Sequence, residues 1–288
     1  MEIVYTKNSK ELAKALAKEL SFSAFPANVR RFNNGEISVS LPKYFRNVVV
    51  LASVITNEDW LELFLLLDAL RDSKNVILCM PYMGYSRQDV QIPNESFGAR
   101  LFSRLLEVMN ISHCIVLDSH SEPFLRIPFI HISAEKIFSS NIISKYDAEK
   151  IVVVSPDIGG AYRANLIARA IGCNFALCNK VRDVFNKLKK IDVVGNVEGK
   201  ICILVDDIVD SGATICHAAE TLLKAGGTAV TAYASHAVLS TGAIEKLEES
   251  NIIELTFTDS INIAENLPTK FKKISVASLM AEAIRCIV

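Results

Sequence analysis

The residue types best suited to chemistry fall in one short stretch, 206–214, which reads DDIVDSGAT. Asp206 and Asp207 are adjacent carboxylates. Asp210, Ser211, Gly212, Ala213 and Thr214 follow, small and mostly polar, and an apolar-periodic helix pattern then runs to Gly226-Gly227. A small-residue loop that opens a helix gathers backbone N–H groups around one point, which suits a phosphate. The acid pair suits sugar hydroxyls, or a metal ion that holds them. An ordinary polar turn at the end of a strand would read the same way. A P-loop would not, because no Gly-Lys-Ser/Thr closes the stretch.

Four further places carry candidate groups. Asp157 precedes Gly159-Gly160, again an acid beside a glycine turn and a helix start, although a simple helix cap fits too. His120 stands just past a buried strand with Asp118 near enough in sequence to orient it for metal binding or acid–base work. His113, His131, His217 and His236 have no such context. Tyr82, Tyr85, Arg87, Gln88 and Asp89 lie in the loop after a strand, where crevices form in open α/β folds. Lys180, Arg182, Lys187, Lys189 and Lys190 make the one locally basic segment, which reads as a mobile basic loop or a solvated charged face.

The elements that must position these groups are legible in outline. Residues 201–205 are apolar, β-rich and non-alternating, as in a strand buried on both faces of a parallel sheet. Comparable strands are expected over 3–5, 47–52, 75–80, 113–117, 151–154, 174–177, 228–234 and 252–258. Helices are expected over 9–20, 59–72, 97–109, 242–249 and 276–287, and after each glycine turn. Asn34-Gly35 before the alternating 36–41 reads as a hairpin. Strands and helices alternate throughout, so the fold class is α/β with parallel sheets. CIVLDSH at 114–120 echoes CILVDDI at 202–208, which suggests two domains of similar topology with a boundary near 133–150.

Bulk composition excludes several classes. The 288 residues carry a net charge of −1 and no polybasic block, so nothing draws nucleic acid or an anionic membrane. The N-terminal stretch has no apolar core of the secretory kind, and the apolar run 63–70 is short and broken by Asp68. Seven cysteines lack CxxC spacing, as expected of reduced thiols in a cytoplasmic protein.

DDIVDSGAT resembles the loop that binds phosphoribosyl diphosphate in the phosphoribosyltransferase superfamily. A pentose 5-phosphate explains why acids sit beside a phosphate site: hydroxyls meet the acids and the phosphate meets the amides. With RRFNNGEISV, PYMGYSRQD and SPDIGG in the same order, the chain resembles the ribose-phosphate pyrophosphokinase family over nearly its whole length. The resemblance implies two phosphoribosyltransferase-like domains, 1–142 and 143–288, each with a mostly parallel sheet flanked by helices, the terminal helix packing back on the first. It implies diphosphate transfer from ATP to the anomeric hydroxyl of ribose 5-phosphate, giving phosphoribosyl diphosphate and AMP, with Mg²⁺ as cofactor. Ribose 5-phosphate would sit on Asp206, Asp207, Asp210, Ser211, Gly212, Ala213 and Thr214. ATP would meet Phe32, Asn34, Glu36, Arg87, Gln88 and Asp89, the first three on a turn that reaches across from a neighbouring subunit of a homo-oligomer. His120 and Asp157 match positions that hold Mg²⁺, and Lys180 and Arg182 match the basic pair of a flexible catalytic loop. No strong general base is evident; Asp207 is the candidate.

The sequence departs from the family pattern at several points. Val90 follows RQD where a basic residue is usual, and Val181 interrupts the usual basic run. Ser119 and Ser121 flank His120 in place of the usual DLHA. The 121–126 segment is shorter than in common bacterial members, in a region that helps form subunit contacts and a regulatory site, so ADP inhibition, phosphate activation and a hexamer are not expected to carry over. A non-catalytic regulatory homologue should have lost the loop cations or the acids, and both are kept. A phosphoribosyltransferase would not need the RFNNGE and RQD elements.

Overall fold

The computed structural model describes residues 1–122, 125–182, 188–263 and 266–288. The chain forms two compact units. The first comprises Met1–Ser133, Asp259–Asn262 and Ser275–Val288; the second comprises Ala134–Thr258 and Ile263–Ile274. In chain order the first half carries β1 (Glu2–Tyr5), α1 (Lys10–Leu20), β2 (Ala24–Pro26), β3 (Asn28–Arg31), β4 (Ile37–Ser40), β5 (Asn47–Leu51), α2 (Asn57–Ala69), β6 (Asn75–Met80), α3 (Gly98–Glu107), β7 (His113–Leu117) and β8 (Phe129–Ile132). Then follow α4 (Glu135–Lys145), β9 (Ile151–Ser155), α5 (Ala161–Ile171), β10 (Asn174–Arg182), β11 (Leu188–Val194), β12 (Ile201–Val209), α6 (Ala213–Lys224), β13 (Ala229–Ala237), α7 (Ala243–Glu249), β14 (Ile252–Thr258), β15 (Phe271–Ile274) and α8 (Ala277–Arg285).

The two main sheets repeat one plan. The first runs β2-β1-β5-β6-β7-β8, and the second runs β11-β10-β9-β12-β13-β14-β15. Apart from β11, the orders match position by position, with β5 and β12 as counterparts. All these neighbours pair in parallel except β10 with β11. Parallel strands need covered faces, and apolar runs such as Val48–Val49–Val50 and Val152–Val153–Val154 are fully buried. The shared topology was expected, although the two echoing segments are not counterpart strands. CIVLDSH lies on β7, whose counterpart is β14, whereas CILVDDI lies on β12. Both segments are buried strands that end in an acid, and that common requirement produced the match.

Helices α4 and α8 cross over in the division. α4 follows β8 in sequence yet packs on α5 in the second unit, and α8 ends the chain yet packs on α1 and β8 in the first. Local signals set the helix ends. Thr56 and Asp59 form a reciprocal capping box on α2, with Thr56 Oγ1 accepting from the Asp59 N–H at 3.2 Å and Asp59 Oδ2 accepting from the Thr56 N–H at 2.7 Å. β2, β8, β15 and α4 escaped the sequence reading because three are short edge strands and α4 has no clear apolar periodicity. The basic segment expected to be a loop instead continues β10 to Arg182 and returns as antiparallel β11. It has no helical period, and alternating Ile191 and Val193 suit a strand.

Candidate functional site

In the second unit the site is built on the C-terminal ends of β9 and β12. β12 runs past the expected end, because Ile208 and Val209 continue an apolar pattern and β13 is long enough to pair with them, Val209 opposite Ala237. Asp206 and Asp207 therefore sit on the strand itself. The Asp207 N–H donates to Asp206 Oδ1 at 2.9 Å. Arg163 of α5 stands 3.6 Å from Asp207 Oδ1, and both side chains are largely buried.

Burial, the neighbouring Asp207 carboxylate and then Asp157 push the Asp206 carboxyl well above the usual carboxylate range. Asp157 reaches this cluster through the turn after β9. The Ser155 hydroxyl donates to the Asp157 carbonyl at 2.6 Å, and the Gly160 N–H donates to Asp157 Oδ1 at 3.3 Å. A Cβ on Gly160 would lie 2.9 Å from Ser155 Oγ, so a side chain there would have to displace the Ser155 hydroxyl that holds the turn.

Beyond Val209 the chain turns through Asp210 and Ser211 to Gly212, whose φ of +73° is left-handed. Gly212 opens α6, and no side chain caps that helix; Ser211 Oγ accepts from the Ala213 N–H at a long 3.4 Å. The first-turn N–H groups of α6, from Ala213 and Thr214 onward, thus point outward at the positive end of the helix dipole. Two half-buried or buried acids stand upstream of this donor set, with the exposed Ser211 between. One end of the loop accepts hydrogen bonds and the other donates them, which fits a ligand with hydroxyls and an anion.

The first unit supplies the remaining candidates on two loops. β3 and β4 pair as an antiparallel hairpin with Arg31 opposite Ile37. Its turn is closed by the Phe32 N–H to Glu36 carbonyl bond at 2.8 Å, and Asn34 Oδ1 accepts from the Glu36 N–H at 3.2 Å. Phe32, Asn34 and Glu36 are all exposed and line one open concavity with Arg30, Arg31 and Asn33. The Arg30 guanidinium lies 5.0 Å from the Phe32 ring centroid. After β6, the chain is pinned by the Val54–Met83 bridge and by the Gly84 N–H to the Val54 carbonyl at 2.8 Å. A Cβ on Gly84 would strike that carbonyl at 2.8 Å. Tyr85 follows with φ +66°, its hydroxyl donating to Asn57 Oδ1 at 2.5 Å and its ring 4.4 Å from Phe102. This anchored turn presents Arg87 and Gln88 to solvent, with Asp89 half-buried. His120 is exposed after β7 in the same unit.

Lys180 and Arg182 fall on the last residues of β10, opposite Ile191 and Leu188 of β11. Their side chains, and Lys187, lie outside the described residues. Among the described residues no group of three or more His, Cys, Asp or Glu side chains gathers as a metal cage. Mg²⁺ needs none, since it keeps waters and is held through one or two protein groups plus substrate phosphates. An oxygen donor such as Asp157 fits that ion; a histidine nitrogen is a less usual partner for it. Sequence reasoning missed Arg163 and Leu247. Arg163 was detectable as a cation in the first turn of a helix that follows an acid–glycine turn. Leu247, which packs under Gly212, carried no signal.

Comparison with known proteins gives a consistent result. Residues 1–109 match the model described as the N-terminal domain of ribose phosphate pyrophosphokinase, and residues 171–288 match the phosphoribosyl synthetase-associated domain. The ribose-phosphate pyrophosphokinase of Agrobacterium fabrum is 36% identical over 296 residues, covering 99% of this chain and 96% of that protein. The chain belongs to the ribose-phosphate pyrophosphokinase family. Ribose-phosphate pyrophosphokinase 1 of Listeria monocytogenes is likewise 36% identical over 295 residues, covering 99% and 93%. The crystal structure of phosphoribosylpyrophosphate synthetase from Mycobacterium smegmatis superposes with a TM-score of 0.91 at 31% identity, over 100% of this chain and 99% of that one. Family membership therefore extends through residues 110–170, which carry His120 and Asp157 and which neither domain model matches. No helix among the described residues is long and apolar enough to cross a membrane.

Proposed function

We propose that this protein transfers the diphosphate of ATP to the anomeric hydroxyl of ribose 5-phosphate, giving phosphoribosyl diphosphate and AMP. The observation that carries the reading is the 206–214 loop, where hydrogen-bond-accepting acids adjoin an uncapped, glycine-opened helix N-terminus. The sugar hydroxyls donate to Asp206 and Asp207. The 5-phosphate lies on the N–H groups of Gly212, Ala213 and Thr214 with the Ser211 hydroxyl and Asp210 beside it. Phe32 stacks on the adenine while Asn34 and Glu36 read its edge, and Arg87, Gln88 and Asp89 meet the rest of the nucleotide. The exposed Phe32 and Val29 of the hairpin favour its use by a second copy of the chain, so the working enzyme is a homo-oligomer.

In the reaction the anomeric oxygen bonds to the β-phosphorus and gives up its proton, with Asp207 the candidate acceptor, the bond from that phosphorus to the α–β bridging oxygen breaks, and AMP leaves with that oxygen. Negative charge builds on the oxygens around the attacked phosphorus, so catalysis is mainly positioning and charge stabilisation. Lys180 and Arg182 supply cations there. Asp157, and His120 in the first unit, are the residues that would hold Mg²⁺, which would supply further charge neutralisation. Arg163 holds Asp207 in place for the sugar. The buried thiols Cys79, Cys114 and Cys202 suit a cytoplasmic enzyme.

The deciding assay supplies ATP, ribose 5-phosphate and Mg²⁺ and measures AMP and phosphoribosyl diphosphate. Equal amounts of both products are expected. Lys180→Ala should lower the rate about a hundredfold, equivalent to losing roughly 3 kcal/mol of transition-state stabilisation. Binding of either substrate with no AMP formed would overturn the reading.

A further inference from the structure

Lys270 lies just before β15 and makes an unusual set of bonds. Its Nζ donates to the carbonyls of Glu248 at 2.8 Å, Ser250 at 3.2 Å and Ile252 at 3.0 Å. These carbonyls belong to the C-terminal end of α7 and the link into β14. Carbonyls there lack helical partners and carry partial negative charge, so an ammonium satisfies them and fixes the end of the helix. Ser250 tightens the same corner, its hydroxyl donating to the Leu247 carbonyl at 2.6 Å and its N–H to the same carbonyl at 3.2 Å. The Lys270 carbonyl in turn accepts from the Leu255 N–H at 2.9 Å, which ties the ammonium's own backbone to β14.

Above this corner lies the phosphate loop. Leu247 is only 1% exposed, and its Cγ, Cδ2 and Cδ1 lie 3.0, 3.2 and 3.4 Å from the point where a Cβ on Gly212 would be. Gly212 is the left-handed residue that aims the first turn of α6. Cys216 of α6 faces the same corner, with Ser250 near its thiol.

We infer that Lys270 and Leu247 form a brace that sets the Gly212 turn, and with it the affinity of the α6 N-terminus for the phosphate of a sugar phosphate. Neither residue touches substrate; both are positioning residues. The identity of the ligand rests on the function proposed above. The physical reason is directional: N–H donors hold an anion only at good geometry, and a turn free to shift by about 1 Å loses it.

The test compares Lys270→Met, Lys270→Arg and Leu247→Ala with Leu12→Ala, a buried change on α1 of the first unit that destabilises without reaching the loop. Turnover gives kcat and both KM values, and calorimetry gives the Kd for ribose 5-phosphate without nucleotide. Lys270→Met and Leu247→Ala should raise the KM and Kd for ribose 5-phosphate about tenfold, as loss of a charge-assisted bond or of a packed anchor would. The KM for ATP should stay within about twofold, and Lys270→Arg should restore most of the affinity. Leu12→Ala should lower the melting temperature and leave the Kd unchanged. If Lys270→Met does not fold, Leu247→Val is judged by the same criterion. An unchanged Kd in the folded brace variants, or an equal rise in Leu12→Ala, overturns the brace. A wild-type protein that binds ribose 5-phosphate but forms no AMP overturns the reaction alone, with the brace still decided by Kd. No binding by the wild type overturns both.

Discussion

Substituting Gly212 with alanine should destabilise the second unit by an amount that depends on Leu247. Two effects add. At φ +73° a non-glycine residue is disfavoured by about 1 kcal/mol. The new Cβ would also lie 3.0 Å from Leu247 Cγ, inside ordinary carbon contact. Leu247 is part of the second unit's buried core with Leu222 and Ala219, so it has little room to retreat, and overpacking of this kind costs about 1–3 kcal/mol. The single variant should therefore lose about 3 kcal/mol in all. Leu247→Ala alone opens a cavity and should lose about 3 kcal/mol. In the double variant the clash disappears and the added methyl enters the vacated space, so the loss should fall short of the sum by about 1–2 kcal/mol. The one tryptophan, Trp60, lies in the first unit and would not report on this change. Hydrogen exchange of α6 and α7 amides reads the correct unit, and all four proteins of the cycle can be compared there. Additivity to within about 0.5 kcal/mol would refute the packing argument.

Three other outcomes follow from the site. Asp206→Asn should stabilise the substrate-free protein at neutral pH by about 1 kcal/mol while weakening ribose 5-phosphate binding, because a neutral amide escapes the cost that burial and the neighbouring acids place on ionising Asp206. The pH sign follows from the raised Asp206 carboxyl: the folded state keeps a proton that the unfolded chain loses near 3.8, so this group's stabilisation is full below that value and is lost as pH rises through the raised one. The melting-temperature gap between Asp206→Asn and wild type should therefore widen upward from about pH 4; a constant gap counts against it. Arg163→Met breaks a largely buried ion pair with Asp207 and should cost about 3 kcal/mol in denaturant unfolding, with Arg163→Lys milder; a loss under about 0.5 kcal/mol would place the pair among inert surface contacts. Phe32→Ala should raise the KM for ATP about tenfold, the scale of one base–aromatic stack, and leave the KM for ribose 5-phosphate alone; equal effects on both would remove Phe32 from the adenine.

The sequence by itself determined the fold class, the placing of most strands and helices, and the loop that carries the acids and the glycine-opened helix. It could do so because these depend on local chemistry: buried parallel strands demand unbroken apolar runs, and a left-handed turn favours glycine. Short edge strands such as β8 and β15 escaped because three or four residues carry too little pattern. The echo between 114–120 and 202–208 pointed to the repeated topology without marking counterpart strands, since any buried strand ending in an acid reads alike and only pairing order separates β7 from β12. Tertiary structure alone decided which groups meet. Arg163 reaches Asp207 across 44 residues of sequence, Asp206 feels Asp157 from the end of the neighbouring strand, and Leu247 fills the space under Gly212. Lys270 became a helix cap only because β15 lies beside β14. Such contacts depend on burial and on strand neighbours far apart in the chain, and neither residue spacing nor composition records them.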